Sequence, residues 1–260
     1  MELRPSFLIL PGMILVAVCA ALVRKFVPMY FLRSHHEVAF PIFLQIGVIY
    51  AMLLGFCFSI EWDGFRAAQT GLEAEAANLL ELGNIAQAFP EPMSTQLQIQ
   101  IIAYLKAVIY QDWSPQGWNI VIKPLSNQAI FKIQQILLLY NPDNRQESNL
   151  YQLAMQNLQK VIENREMRFF KIRQRPPTPL WGALIVMGVI IIGISFLFAM
   201  HYLWSQVILT TVLAGMIFAI ITMMIAFNSP FSGHYQLTPR PFQEVLYQMT
   251  THQTVREHHV

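Results

Sequence analysis

The sequence predicts an all-α, polytopic membrane protein with four transmembrane helices, arranged two plus two around an inserted helical domain. Four long apolar blocks lie at residues 7–23, 39–60, 180–202 and 207–227. Each approaches the ~20 helical residues needed to cross a hydrocarbon core. None of the four contains Asp, Glu, Lys or Arg. Composition agrees: 55% of residues are hydrophobic, 12% are charged and the mean hydropathy is +0.42, whereas soluble domains carry about 25% charged residues. The net charge of +2 leaves no basic footprint for nucleic acid. The predicted organisation is two membrane helices within 1–60, a cytoplasmic helical domain over 61–179, two more membrane helices within 180–227, and a cytoplasmic tail over 228–260.

The first block invites a second reading as a signal peptide, with Arg4 before it and small residues at 17–21. It exceeds the usual 7–15-residue apolar region of such a signal. It also runs into Arg24-Lys25 and soon meets another spanning block, so a retained helix is expected. Cys19 and Cys57, one in each of the first two blocks, are read as buried free thiols acting as small apolar side chains.

Four spans place both termini and the middle domain on one side. Of the 17 Lys and Arg residues, only Arg24, Lys25 and Arg33 fall on the other. Basic residues near the spans mark the cytoplasmic face, and Arg165, Arg168, Lys171, Arg173 and Arg175 sit just before the third block. They are read as a topology anchor, with attraction of anions or anionic lipid as the alternative.

Helical periodicity fills the middle section. Block two meets no breaker but Gly64, so its helix is expected to continue through 61–88. Phe65, Ala68, Leu72, Ala76, Leu79 and Leu80 form its apolar stripe. Phe89-Pro90-Glu91-Pro92 stops it. A second helix opens at Thr95 with Gln98 three residues on, a capping-box pattern. A loop follows at 113–117, then a helix over 126–140, a turn at 141–144, and a long helix over 145–173 ended by Pro176-Pro177-Thr178-Pro179. Glu73, Glu75 and Glu81 are expected on solvated faces. The tail, with His252, His258 and His259 near its end, reads as disordered.

No phosphate loop, dinucleotide fingerprint, hydrolase elbow or zinc-protease helix is present. The chain is read as a non-enzyme without a cofactor or metal. His35-His36, before block two, reads as an exposed loop pair. Block two itself is unusual in mixing Pro41, Gln45, Gly47, Tyr50, Gly55 and Ser59 with large aromatics. Gly47 and Gly55, two turns apart, suit close helix approach. That makes the second helix the candidate for an oligomer axis, either through helix packing or as a pore lining that gates by dewetting.

Short motifs then line up in order. Leu54-Gly55-Phe56 precedes Glu75-Ala76-Ala77-Asn78-Leu79-Leu80. Pro179-Leu180-Trp181 opens the third block, and Asn228-Ser229-Pro230-Phe231-Ser232-Gly233, with Pro239 and Phe242, follows the fourth. In this order the chain resembles the bestrophin-like family of bacterial membrane proteins, most clearly over 40–113 and 176–245, and more distantly the bestrophin anion channels. It departs at Asn228, where an acidic residue is expected. The resemblance implies a symmetric homo-oligomer in the bacterial cytoplasmic membrane, with its own copies, the bilayer and inorganic anions as partners. It implies passive conduction of chloride or bicarbonate through a neck lined by Val48, Met52 and Phe56, which at four-residue spacing share a helix face. Arg66 and the 165–175 basic cluster would raise the anion concentration at the inner mouth. The acidic calcium clasp of bestrophins has no counterpart run here, so calcium control is not implied. The alternative function is a non-conducting oligomeric scaffold or sensor that docks a partner through its cytoplasmic helices.

Overall fold

The computed structural model describes residues 9–26, 36–113, 126–173, 178–198, 202–228, 231 and 236–257. Among them there is no strand, and eight α-helices carry the chain. These are α1 (Ile9–Phe26), α2 (His36–Ala86), α3 (Met93–Ala107), α4 (Ser126–Leu139), α5 (Arg145–Arg173), α6 (Thr178–Ser195), α7 (Leu203–Asn228) and α8 (Arg240–Glu257). The chain divides into two compact units, residues 1–66 with 174–236 and residues 67–173 with 237–260.

The first unit holds the apolar helices. α1, the first part of α2 and α7 are long and apolar enough to cross a membrane. The fourth apolar helix, Pro179–Ser195, is shorter. Its block was expected to run to residue 202, but the helix stops at Ser195. The Ser195 hydroxyl donates to the Ile192 carbonyl at 2.6 Å. The amides of Phe196 and Leu197 then bond three residues back, at 3.2 and 2.9 Å, which tightens the chain out of the α-helix.

Small residues set the packing of this unit. A Cβ on Gly12 of α1 would lie 2.8 Å from the Phe218 ring of α7, one on Gly215 would lie 3.0 Å from Met13, and one on Gly188 of α6 would lie 3.0 Å from the Tyr50 hydroxyl. At these positions a side chain of the neighbouring helix lies directly on the glycine, and small residues are a usual device for joining helices without a hydrophobic driving force. Tyr50, Leu54 and Cys57 of α2 are buried in one cluster with Leu184 and Ile191 of α6 and Ala214, Ile217 and Met224 of α7.

The second unit is a helical bundle with an ordinary apolar interior. The rest of α2 buries Ala68, Leu72, Ala76, Leu79, Leu82 and Ala86, the 3–4 spacing of an amphipathic helix. They share the unit with Leu97, Ile101 and Leu105 of α3, Ile133 and Leu137 of α4, and Leu158 and Val161 of α5, all buried.

Three expectations are corrected here. α3 starts at Met93, so Thr95 lies inside it and makes no capping box. Pro92 stands at the N-cap without a side-chain bond, and the Glu91 carboxylate instead accepts the Thr95 amide at 3.3 Å. The C-terminal segment is not a loose tail: α8 buries Phe242, Val245 and Met249, because its apolar residues recur at three- and four-residue spacing. α3 also does not end in a simple loop. It continues as a π-turn, Val108–Asp112, closed by the Trp113 amide on the Val108 carbonyl at 3.0 Å. Residues 114–117 of the expected loop, together with His35, His258 and His259, lie outside the described residues.

Candidate functional site

The neck candidates lie on α2, so its faces decide the geometry. Tyr50, Leu54 and Cys57 are at most 8% exposed, whereas Val48, Met52 and Phe56 are 60%, 73% and 62% exposed. At about 100° of rotation per residue the two sets occupy opposite sides of the helix. One side is committed to α6 and α7; the other is an apolar strip left exposed by the described residues. Gly47 and Gly55 have the same eight-residue separation as Val48 and Phe56, a residual rotation of about 80°. A Cβ on either would meet nothing within 4 Å, so neither packs helices inside the chain.

Below the strip the same helix carries an aromatic clamp that sequence reasoning missed. Phe227 of α7 is buried and meets Phe58, Trp62 and Phe65 of α2 at ring separations of 5.8, 5.1 and 5.2 Å. The signal was available as aromatics at i, i+4 and i+7, one helix face. Arg66 follows, exposed, about 15 Å along the helix from Phe56. Exposed Asp63 and half-buried Glu61 lie just before it, so the charge of this stretch is mixed.

The basic cluster assigned to an inner mouth is corrected by the fold of the second unit. Arg168 is 1% exposed and Glu75 is 0% exposed, and the two form a buried ion pair. Arg168 Nε donates to Glu75 Oε2 at 2.9 Å and Nη2 donates to Oε1 at 3.1 Å, a bidentate clasp. The buried Tyr104 hydroxyl donates to the same Oε1 at 2.5 Å. The Trp113 and Phe242 rings lie over the guanidinium, each centroid 5.8 Å away. Burial works against the Arg168 charge, but Glu75, with Tyr104 and Asp112 behind it, more than offsets this and holds the group cationic. Burial, and then the Glu75 charge, push the Tyr104 phenol well above its ordinary range. Arg165 is also buried, and its Nη2 donates to Ser126 Oγ at 3.1 Å and to Asn127 Oδ1.

Arg165 and Arg168 are therefore core residues, not solvent-facing charges. Their three-residue spacing places both on the inner face of α5, which the clustering of charge in the sequence could not reveal. Glu75, expected on a solvated face, is corrected with them. Lys171 and Arg173 lie on α5, and Arg175 falls outside the described residues. Among the described residues no cluster of His, Cys, Asp or Glu could hold a metal.

A family model described as a bestrophin-like domain matches residues 13–242. The chain belongs to the bestrophin-like family. Solved structures share the fold of this bestrophin-like protein. A point variant of a bacterial bestrophin homologue from Klebsiella pneumoniae matches with a TM-score of 0.72 at 11% identity, over 95% of this chain and 99% of that chain. The Klebsiella pneumoniae homologue solved by zinc anomalous phasing matches with a TM-score of 0.70 at 12% identity, over 94% and 98%. Comparison with curated proteins by sequence finds no match. At such identities the solved structures establish the fold of the bestrophin-like chain, and its own residues must carry the functional reading.

Proposed function

We propose that this bestrophin-like chain forms a symmetric homo-oligomeric channel in the bacterial cytoplasmic membrane and passes inorganic anions, chloride or bicarbonate, passively. Its four apolar helices cross the bilayer, and the second unit and both termini face the cytoplasm, as the distribution of basic residues favours. It is not an enzyme. The α2 helices surround the axis, and Val48, Met52 and Phe56 form the neck. One observation carries this reading: in a member of this family, the α2 face bearing these three residues is apolar and exposed, while the opposite face is sealed against α6 and α7. Closed on itself by symmetry, such a strip makes an apolar constriction that controls the passage of ions by its wetting. Of the basic residues first assigned to the inner mouth, Arg66 is exposed, as such a role requires. Because Glu61 and Asp63 lie beside it, selectivity is a matter for the reversal potential and not for a charge count.

The test is anion efflux from liposomes holding the purified oligomer, beside Phe56→Ala and Met52→Ala. Truncating either side chain widens the neck and is expected to raise the flux. Unchanged flux in both variants would overturn the neck assignment. No flux from any sample, with intact oligomers, would overturn the channel and favour the scaffold.

A further inference from the structure

The first unit contains a cavity of about 350 Å³ between α2, the end of α6 and the start of α7. Its walls include Phe40, Phe43, Phe198, Leu209 and Leu213, with Gln206 as a polar member. The Phe198 ring stands edge-on to Phe43 at 5.0 Å and to Phe40 at 6.2 Å. Phe40 and Leu209 are each about half exposed, at 50% and 54%, so the apolar wall continues onto the outer surface of the unit. The volume falls within the ~300–1,000 Å³ of pockets that hold small molecules.

The polar end has its own construction. Gln206 is 3% exposed and bonded at both ends of its amide: its Nε2 donates to the Phe196 carbonyl at 2.9 Å, and its Oε1 accepts from Arg24 Nη1 at 3.3 Å. A buried amide thus holds the Arg24 guanidinium, a group with five N–H donors, at the edge of an apolar cavity. Lys25 stands next to it, exposed. A largely apolar, open cavity beside a cation is complementary to an amphiphile with a hydrocarbon chain and an anionic head. Water has little to bond to along the aromatic walls, and an unfilled cavity forfeits dispersion contacts.

We propose that this cavity is a binding site for an anionic phospholipid of the surrounding bilayer, with one acyl chain between Phe43, Phe198 and Leu213 and the phosphate at Arg24. The proposal rests on the reading of the first unit as membrane-spanning, and not on conduction.

The experiment uses the intact oligomer in nanodiscs containing phosphatidylglycerol with a photoreactive diazirine on one acyl chain, followed by peptide mapping. Label is expected to concentrate on Phe198, Leu209 and Leu213. Leu213→Trp, which fills the cavity, is expected to abolish this concentration. Should that variant not elute as the native oligomer, Leu209→Trp at the half-exposed rim decides instead. Arg24→Gln is expected to lower the label about fivefold, the worth of one basic contact with an anionic lipid, and to lower labelling by the zwitterionic phosphatidylcholine probe, whose choline already offsets its phosphate, by less.

Label spread evenly over exposed apolar positions such as Leu15 and Val186, and insensitive to the tryptophan variants, would overturn the site. Labelling by a diazirine fatty acid with none from the phospholipid would overturn the lipid assignment. Absence of label from the whole of α1 and α7 would overturn the membrane reading as well, whereas an even spread would spare it.

Discussion

The two parts of α2 put the same kind of helix into two settings, and they hide different things. From Phe40 to Ile60 one face buries Tyr50, Leu54 and Cys57, while large apolar side chains on the other stay exposed, with Met52 the most exposed of the neck residues at 73%. From Ala67 to Ala86 the pattern inverts: Leu72, Leu79 and Leu82 are buried, Glu73 and Glu81 are exposed, and the charged residue Glu75 lies wholly inside. Where the solvent is lipid, an exposed apolar face costs nothing and an ionised side chain is expensive. Where the solvent is water, apolar residues gain by burial, and a charge can be buried if a partner meets it with good geometry. One turn after another of the same helix is thus sorted by opposite rules.

The sharpest break of this comparison is at Glu75. Glu75→Ala or Arg168→Ala strands a buried charge, and each is expected to cost about 3–5 kcal/mol, read as a lowered unfolding midpoint or as faster amide exchange in residues 67–173. The double variant Glu75→Leu/Arg168→Leu is expected to cost less than either single change, since apolar replacement of a whole buried pair is often neutral. Single changes costing under about 1 kcal/mol, the range of surface pairs, would mean that water reaches this pair.

Glycine substitutions sharpen the contrast within the apolar unit. Gly12→Ala drives a Cβ to 2.8 Å from the Phe218 ring and is expected to destabilise by about 1–3 kcal/mol through overpacking. Gly55→Ala has open space inside the chain. In an isolated subunit it should stabilise the helix by about 1 kcal/mol. A loss of oligomer instead, measured by mass under native conditions, would show that a neighbouring subunit occupies that space.

The smallest effect belongs to the turn before α5. The Glu147 carboxyl is held below its ordinary range, first by the hydrogen bond from the Tyr140 hydroxyl and then by the Asp143 amide. The Tyr140 phenol is pushed up to about 12, by burial and then by Glu147. A lowered carboxyl stabilises the fold above its unfolded pKa of about 4.3, and that contribution fades as pH falls through the folded value. Acid unfolding of Glu147→Gln is therefore expected to be less steep below about pH 4, the range set by that reference value. Identical acid profiles would remove the Tyr140–Glu147 contact from the account.

Much of this was legible along the chain. Uncharged apolar blocks of about 20 residues suit helices in lipid, because a helix of that length spans the bilayer and satisfies its backbone polar groups within the segment. The amphipathic stripes of α2 and α5 follow from period alone. The order of short motifs led to the family that the domain match then established. The C-terminal helix was missed because its polar stretch was weighed by composition, while its anchors Phe242, Val245 and Met249 are only three.

What the sequence determined by itself is which segments are apolar and the helical class, since both depend on local hydrophobicity and period. What only the tertiary structure decided is which side chains meet. It decided that Arg168 turns inward to Glu75 across 93 residues of sequence, that Gly12 and Gly188 rather than Gly47 and Gly55 make the close approaches inside the chain, and that Gln206 holds Arg24 beside a cavity. The physical reason is that a charge or a glycine reads the same along a chain whether it faces water, lipid or a partner. Only packing chooses the partner that makes its burial favourable.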